Sequence, residues 1–324
     1  MDSDNQSEYC VKPKLVIVHD PTSFGAFKDL SSVIGNERLL AEFLFREQPD
    51  IKELHRQHLS FVTELRKRVP CVCLSEILGN SNLPLYKNYL TTNPNHMFTH
   101  DALITVPWTP DGYILGRMKK TIRSTEPVVL NKVAQILGLI EIIRIPQDLS
   151  LEGGDVMPIC SDGKKVFLIG YGPRTSEETL FFLRDTLVRD GMVDQVIGFQ
   201  IAEWRLNIDG CFFPLSENTA VAHRESIVGG ILLGPDYTER INPLDFFEES
   251  GFTIIEATRD ESYLKQACNF ACLGDKAFVA YNITDRINDI LRSKGFEIIG
   301  IPGDQLVKGN GGPHCMTRPI YKNC

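Results

Sequence analysis

The chain has 324 residues, 43% hydrophobic and 23% charged, which is enough apolar content for a sizeable core and too much for a disordered chain. Its formal net charge is −8, with 34 Lys and Arg dispersed among 42 Asp and Glu, so no basic stripe exists to hold a nucleic acid. No apolar run is long enough to cross a bilayer, and nine cysteines, an odd number scattered through apolar surroundings, suit the reduced thiols of a cytoplasmic protein better than a disulfide framework.

Residues 1–13 are polar, carry Asp2, Asp4 and Glu8, and read as a flexible tail. Residues 14–324 read as one domain, because no linker rich in Pro, Gly or Ser divides them. Residues 14–19 form a β-branched run stopped by Asp20 and Pro21, and residues 36–45 and 51–68 show helical apolar spacing. Strands are predicted at 102–106 and 113–115 around the turn Pro110-Asp111-Gly112, followed by a helix near Met118. Residues 140–145 and 165–169 read as strands, after which Thr175, with Glu178 three residues on, predicts a capping box opening a helix. Further strands are predicted at 196–199, 206–213 and 220–222. A helix at 243–249, a strand at 252–255, a helix at 260–266, a strand at 277–280, a helix at 284–294 and a strand at 296–301 complete the pattern. Strand and helix alternate throughout and the pattern recurs roughly every sixty residues, which predicts an α/β fold with internal pseudosymmetry.

The segment from Lys308 to Pro319 is the most informative stretch. Gly309, Gly311 and Gly312 remove side chains that would obstruct a close approach, and they lead to Cys315, flanked by His314 and Arg318. A buried cysteine beside a glycine turn would look the same locally, so the remaining chain has to decide. Cys71 with Cys73, Cys268 with Cys272, and His55 with His58 lack partner ligands at zinc-site spacing, and no metal is expected from them. Three acidic segments matter more: Phe98-Thr99-His100-Asp101, Glu152-Gly153-Gly154-Asp155 and Asn207-Ile208-Asp209. Carboxylates at strand ends can hold a planar guanidinium, whose five donors form a rigid fork; singly, such aspartates more often cap turns.

Together with the thiol, these segments and Ile169-Gly170-Tyr171-Gly172-Pro173-Arg174-Thr175 resemble, in chain order, the guanidino-modifying superfamily of arginine deiminases, dimethylarginine dimethylaminohydrolases and amidinotransferases. The resemblance spans nearly the whole chain, and Glu152–Asp155 and Gly311–Thr317 are its specific parts. It implies a pentein fold: a five-bladed αβ propeller with pseudo-fivefold symmetry and a central active-site channel. It also implies a cofactor-free hydrolase that cleaves a C–N bond in the guanidino or ureido group of arginine or a relative of it. Cys315 would attack the carbon, Asp101 and Asp209 would grip the nitrogens, and Glu152 would orient the leaving nitrogen or an acid/base group. Arg174, and less strongly Arg123, would bind the substrate carboxylate. An amidinotransferase and a non-catalytic binding protein of the same fold are the alternatives, and a homo-oligomer is among the open oligomeric states.

Two departures from the family pattern bear on the chemistry. Asn207 stands where the family has a proton-shuttling histidine, and an amide cannot titrate near neutral pH. His100 or His314 would then take over the proton transfers, or the Asn207 amide would donate to an oxyanion formed on a ureido substrate, or the pocket would persist without the chemistry. His100 in turn replaces an arginine, and loss of that cation is expected to raise the pKa of Asp101.

Overall fold

The computed structural model describes residues 6–27, 40, 43–161 and 163–323, and within it one plan recurs in five sheets. Each has a central strand with an antiparallel neighbour on one side and a parallel neighbour on the other. The central strands are Leu15–Val18, Thr109–Leu115, Lys164–Tyr171, Thr219–Ala222 and Ala277–Tyr281. Their antiparallel neighbours are Arg318–Ile320, Leu103–Val106, Val156–Ser161, Phe212–Ser216 and Ala271–Cys272, respectively. The parallel neighbours are Cys71–Cys73, Ile140–Glu141, Gln195–Ile201, Thr253–Glu256 and Glu297–Ile301.

A parallel pair cannot be joined by a tight turn, and each crossover here carries a helix: Ile51–Arg66, Thr125–Ile136, Glu177–Leu183, Pro243–Glu249 and Asp285–Ser293. Ile51–Arg66 illustrates the logic. Asp50 accepts from the backbone N–H groups of Lys52 and Glu53 to cap the helix, and Leu54, Phe61 and Leu65 face the core. The first and last strands lie in the same sheet, so the two ends of the chain close the structure. A second hairpin, Ile227–Leu233 with Thr238–Ile241, widens the third sheet to five strands. Between the units lie apolar clusters, one of which stacks Phe199, Phe212 and Phe247.

Several expectations need correction. Ser7, Glu8 and Tyr9, placed by sequence in a flexible tail, are buried; the Glu8 N–H donates to Pro158 O and the Cys160 N–H to Ser7 Oγ, which dock this segment on Val156–Ser161. The predicted helix at 36–45 falls largely outside the described residues. Thr175 does not cap a helix: its hydroxyl is spent on Asp155, and the helix starts after Ser176. Residues 206–211 are not strand, because Asn207 and the Ile208 N–H are tied to Asp155, which bends the chain into a short 3-10 turn. The helix expected near Met118 begins at Thr125, the strand at 140–145 shrinks to Ile140–Glu141, and 260–266 is a wide turn of π-helix over Asp260–Leu264. No helix among the described residues is long and apolar enough to cross a membrane.

One consequence of the shared plan positions the site. The segment just ahead of the antiparallel strand holds His100 and Asp101 in one unit, Glu152 and Asp155 in the next, then Asn207 and Asp209, then Asn269, and finally His314 and Cys315.

Candidate active site

The glycines of the two specific motifs allow these five segments to touch. A Cβ on Gly153 would stand 2.1 Å from the His100 carbonyl oxygen, and one on Gly312 would stand 2.4 Å from Asn269 Oδ1. Both neighbours are fixed, so a larger residue would force the loops apart.

Cys315 is 9% exposed and opens onto a cleft. Its thiol donates to Asp209 Oδ2 at 3.1 Å and accepts from Asn269 Nδ2 at 3.0 Å. Asn269 Oδ1 in turn accepts from the backbone N–H groups of His314 and Cys315, at 2.8 and 3.3 Å, so one amide holds both the sulfur and the turn that carries it. Burial, then the nearby Asp209 and Asp101 carboxylates, push the Cys315 thiol well above its ordinary range, and it rests protonated.

Asp101, Asp209 and Asn207 line the same cleft. Asp101 accepts from Arg123 Nη1 at 2.8 Å and from the Gly154 N–H at 3.0 Å. Burial raises its pKa although Arg123 pulls the other way. Asn207 donates from Nδ2 to Asp155 Oδ2 at 3.0 Å, which leaves its carbonyl oxygen as an acceptor. The carboxylates and the amide oxygen therefore present acceptors around the sulfur.

Of the other predicted residues only Arg123 lines this cleft. Arg174 is 2% exposed and faces Glu152 Oε1 at 3.4 Å, away from the cleft lining, so it is not placed to meet a substrate carboxylate. Glu152 is fully buried and also accepts from the Lys119 N–H. Arg123 reaches the cleft, but its guanidinium is committed to Glu126 through Nε and Nη2 and to Asp101 through Nη1. Burial opposes its charge, and Glu126, Asp101 and Glu152 more than restore it. His100 is fully buried and outside the cleft lining, with Nδ1 2.7 Å from Thr317 O, and burial pushes its pKa well down. Its ring lies tilted by 40° against that of His314, 3.6 Å between centroids. His314 also lies behind the sulfur, with Nδ1 2.9 Å from Asp209 Oδ2 and Nε2 3.4 Å from Glu8 Oε1. Burial opposes its charge, and the bonds to Asp209 and Glu8 outweigh that, raising its pKa to about 9. Neither His100 nor His314, the two histidines expected to take over from an imidazole at position 207, lines the cleft.

Sequence reasoning missed Asn269, Glu8 and Arg205. Arg205 is 3% exposed and lines the cleft; Nη2 donates to Gly210 O, the guanidinium lies 5.3 Å from the Trp204 ring, and Nη1 has no partner. A buried, unpaired donor of this kind is uncommon. Only the adjoining Asn207 and Asp209 could have drawn attention to this arginine.

The fold matches solved pentein structures. The N-terminal domain of ArgZ, an arginine dihydrolase from the ornithine-ammonia cycle in Cyanobacteria, aligns at a TM-score of 0.68 and 15% identity over 94% of this chain and 97% of that one. AgrE in complex with ornithine and NAD+ aligns at 0.69 and 16% identity over 96% of this chain and 40% of the other. A dimethylarginine dimethylaminohydrolase adduct aligns at 0.63 and 18% identity, covering 95% and 99%. Fold and site together define a pentein-superfamily protein of mixed α/β structure with a thiol set among buried carboxylates. Within that class the family model described as arginine deiminase matches residues 74–230 and 235–322, and the chain belongs to the arginine deiminase family. Arginine deiminase of Staphylococcus aureus strain JH9 is 23% identical over 305 residues, covering 84% of this chain and 71% of that protein.

Proposed function

We propose that this protein is a cysteine-dependent hydrolase that cleaves a C–N bond in the guanidino group of arginine or an arginine-derived amino acid, with its five units arranged as blades around a central channel. The observation that carries the reading is the Cys315 sulfur, 3.1 Å from Asp209, sharing one cleft with Asp101 and Asn207. A guanidinium offers only donors, and these three groups offer acceptors. A ureido group, with its own carbonyl, would meet acceptor against acceptor, so the cationic substrate fits better. Two related structures, an ArgZ variant bound to substrate and an AgrE variant bound to L-arginine, support the same substrate class.

The resting thiol is neutral, and the arriving cation changes that by placing positive charge beside a sulfur that two carboxylates otherwise keep protonated. Cys315 then attacks the guanidinium carbon as its proton passes to Asp209 Oδ2. That proton leaves with the departing nitrogen as ammonia, and a carbon–sulfur bond replaces the carbon–nitrogen bond. Water adds to the resulting thiouronium carbon and returns the thiol, releasing a ureido product and one proton. Asp101 and Asp209 are the carboxylates at the cleft, so they take the acid/base work that an imidazole would otherwise perform. Arg205, whose side chain lines the cleft, receives the substrate carboxylate.

A second reading, a guanidino-binding protein without turnover, is favoured by one observation: among the described residues no histidine lines the cleft. Incubation with arginine, citrulline, agmatine and methylated arginines, followed by mass identification of products, separates the two. Turnover of a guanidino amino acid that is lost in Cys315→Ser supports the hydrolase. Absence of product from every compound refutes it.

A further inference from the structure

Behind the nucleophile, on the side away from the cleft, three side chains from distant segments converge: Glu8, His100 and His314. Glu8 is 6% exposed and both histidines are buried. Each histidine has its Nδ1 directed at an acceptor, Thr317 O at 2.7 Å for His100 and Asp209 Oδ2 at 2.9 Å for His314. A backbone carbonyl can only accept, so Nδ1 of His100 carries its hydrogen, and in the neutral ring Nε2 is a bare lone pair. That Nε2 has no hydrogen-bond partner and faces Glu8 Oε1 at 3.9 Å. In the metal-free protein the His314 ring supplies the charge that faces Glu8, and the bare His100 Nε2 beside it offers an incoming cation a further ligand.

We propose that Glu8 Oε1, His100 Nε2 and His314 Nε2 form a binding site for one divalent transition-metal ion, with zinc as the best match. The three ligand atoms lie within 4.8 Å of one another. A tetrahedral zinc with bonds of about 2.0–2.1 Å holds its ligands about 3.3 Å apart. Glu8 and His314 already stand at 3.4 Å and Glu8 and His100 at 3.9 Å, and the His100 ring must swing away from His314, against which it lies at 3.6 Å between centroids, to complete the set. The outer groups match as well: ligating histidines typically donate their other ring N–H to a carboxylate or backbone carbonyl, which is what Asp209 and Thr317 accept here. Cys272 and Tyr321 line the small cavity beside Glu8 and His314, so further donors are near. The ion would lock His314, and through it the Asp209 carboxylate that also holds the Cys315 thiol. It would be a positioning centre that never touches substrate, and it stands or falls independently of the hydrolase reading.

The test is equilibrium dialysis of the full chain, first stripped with a chelator, against zinc and against cobalt, with metal measured by mass spectrometry and cobalt coordination followed by visible absorption. The result expected is one tightly bound ion per chain, a tetrahedral cobalt spectrum, and affinity at least ~10-fold weaker in Glu8→Gln and in His100→Gln, with full binding kept in Cys315→Ser. Raised thermal stability of the wild-type protein on adding zinc is a second readout that needs no variant. No stoichiometric ion, or binding indifferent to Glu8→Gln, or binding lost in Cys315→Ser because the nucleophile itself holds the metal, would overturn it.

Discussion

Replacing His314 by glutamine removes a buried imidazolium whose proton is shared between Asp209 and Glu8, and the cost can be worked from the site. In the metal-free protein the pKa of His314 is about 9 against an ordinary 6.5, a rise of about 2.5 in which the two carboxylates outweigh burial. At about 1.4 kcal/mol for each tenfold change in proton affinity this is about 3 kcal/mol of stability. The sign follows from the direction: the folded state holds the proton more tightly, so the contribution is fully present below pH 6.5 and is lost as pH rises through about 9. Unfolding free energies of wild type and His314→Gln, measured in urea with chelator at pH 6.5 and at pH 10, should therefore differ by about 3 kcal/mol more at the lower pH. In melting temperature this is about 5 °C for a chain of this size. Other titrations, including that of Glu126, pushed up to about 7 by burial, occur in both proteins and cancel in the comparison. The buried histidines His19, His58 and His96, lowered by burial to about 3, 4 and 3, act only below the window. A difference between the two proteins that is the same at both pH values would refute the charged His314.

Arg205→Met should raise KM for arginine about 10- to 100-fold, the range of a lost charge-assisted hydrogen bond, and leave agmatine, which has no carboxylate, nearly unchanged; equal effects on both would remove the carboxylate role. Asn269→Leu deletes the donor to the sulfur and the acceptor for two backbone N–H groups, and should slow alkylation of Cys315 at least ~10-fold. An unchanged alkylation rate would leave Asn269 with no part in holding the thiol. Phe199→Ala empties a site stacked on Phe212 at 4.8 Å and should cost about 3–5 kcal/mol in urea unfolding.

Much of the fold could be read from apolar pattern, and the failures share causes. The crossover helices at 51–66, 243–249 and 285–293 are amphipathic and bounded by clear stops, and they stand close to where the pattern put them. Leu74–Thr92 was not foreseen because Gly79 breaks the helix and Pro84 lies within it. Thr238–Ile241 has an exposed, polar face at a sheet edge, so it carries no alternation to detect. In the site, Cys315, Asp101, Asp209 and Asn207 line one cleft. Glu152, drawn from a specific motif, and Arg174, drawn from a weaker one, form a buried pair behind it. Asn269 and Glu8 escaped notice because each acts through partners far away in the chain, and His314 reaches Glu8 across 306 positions, whereas Arg205 meets its neighbours Trp204 and Gly210 but belongs to no motif. Local spacing cannot report such a contact, and only the closure of first and last strands in one sheet brings the two together.

The central claim is that the sulfur of residue 315 attacks a flat cationic carbon held by Asp101 and Asp209. Intact-mass kinetics with a small chloroacetamidine, compared with the uncharged chloroacetamide, test it most directly. One adduct is expected, confined to Cys315, formed faster from the cationic reagent, slowed by arginine and absent in Cys315→Ser. Equal rates for the two reagents, or labelling that arginine does not slow, would contradict it.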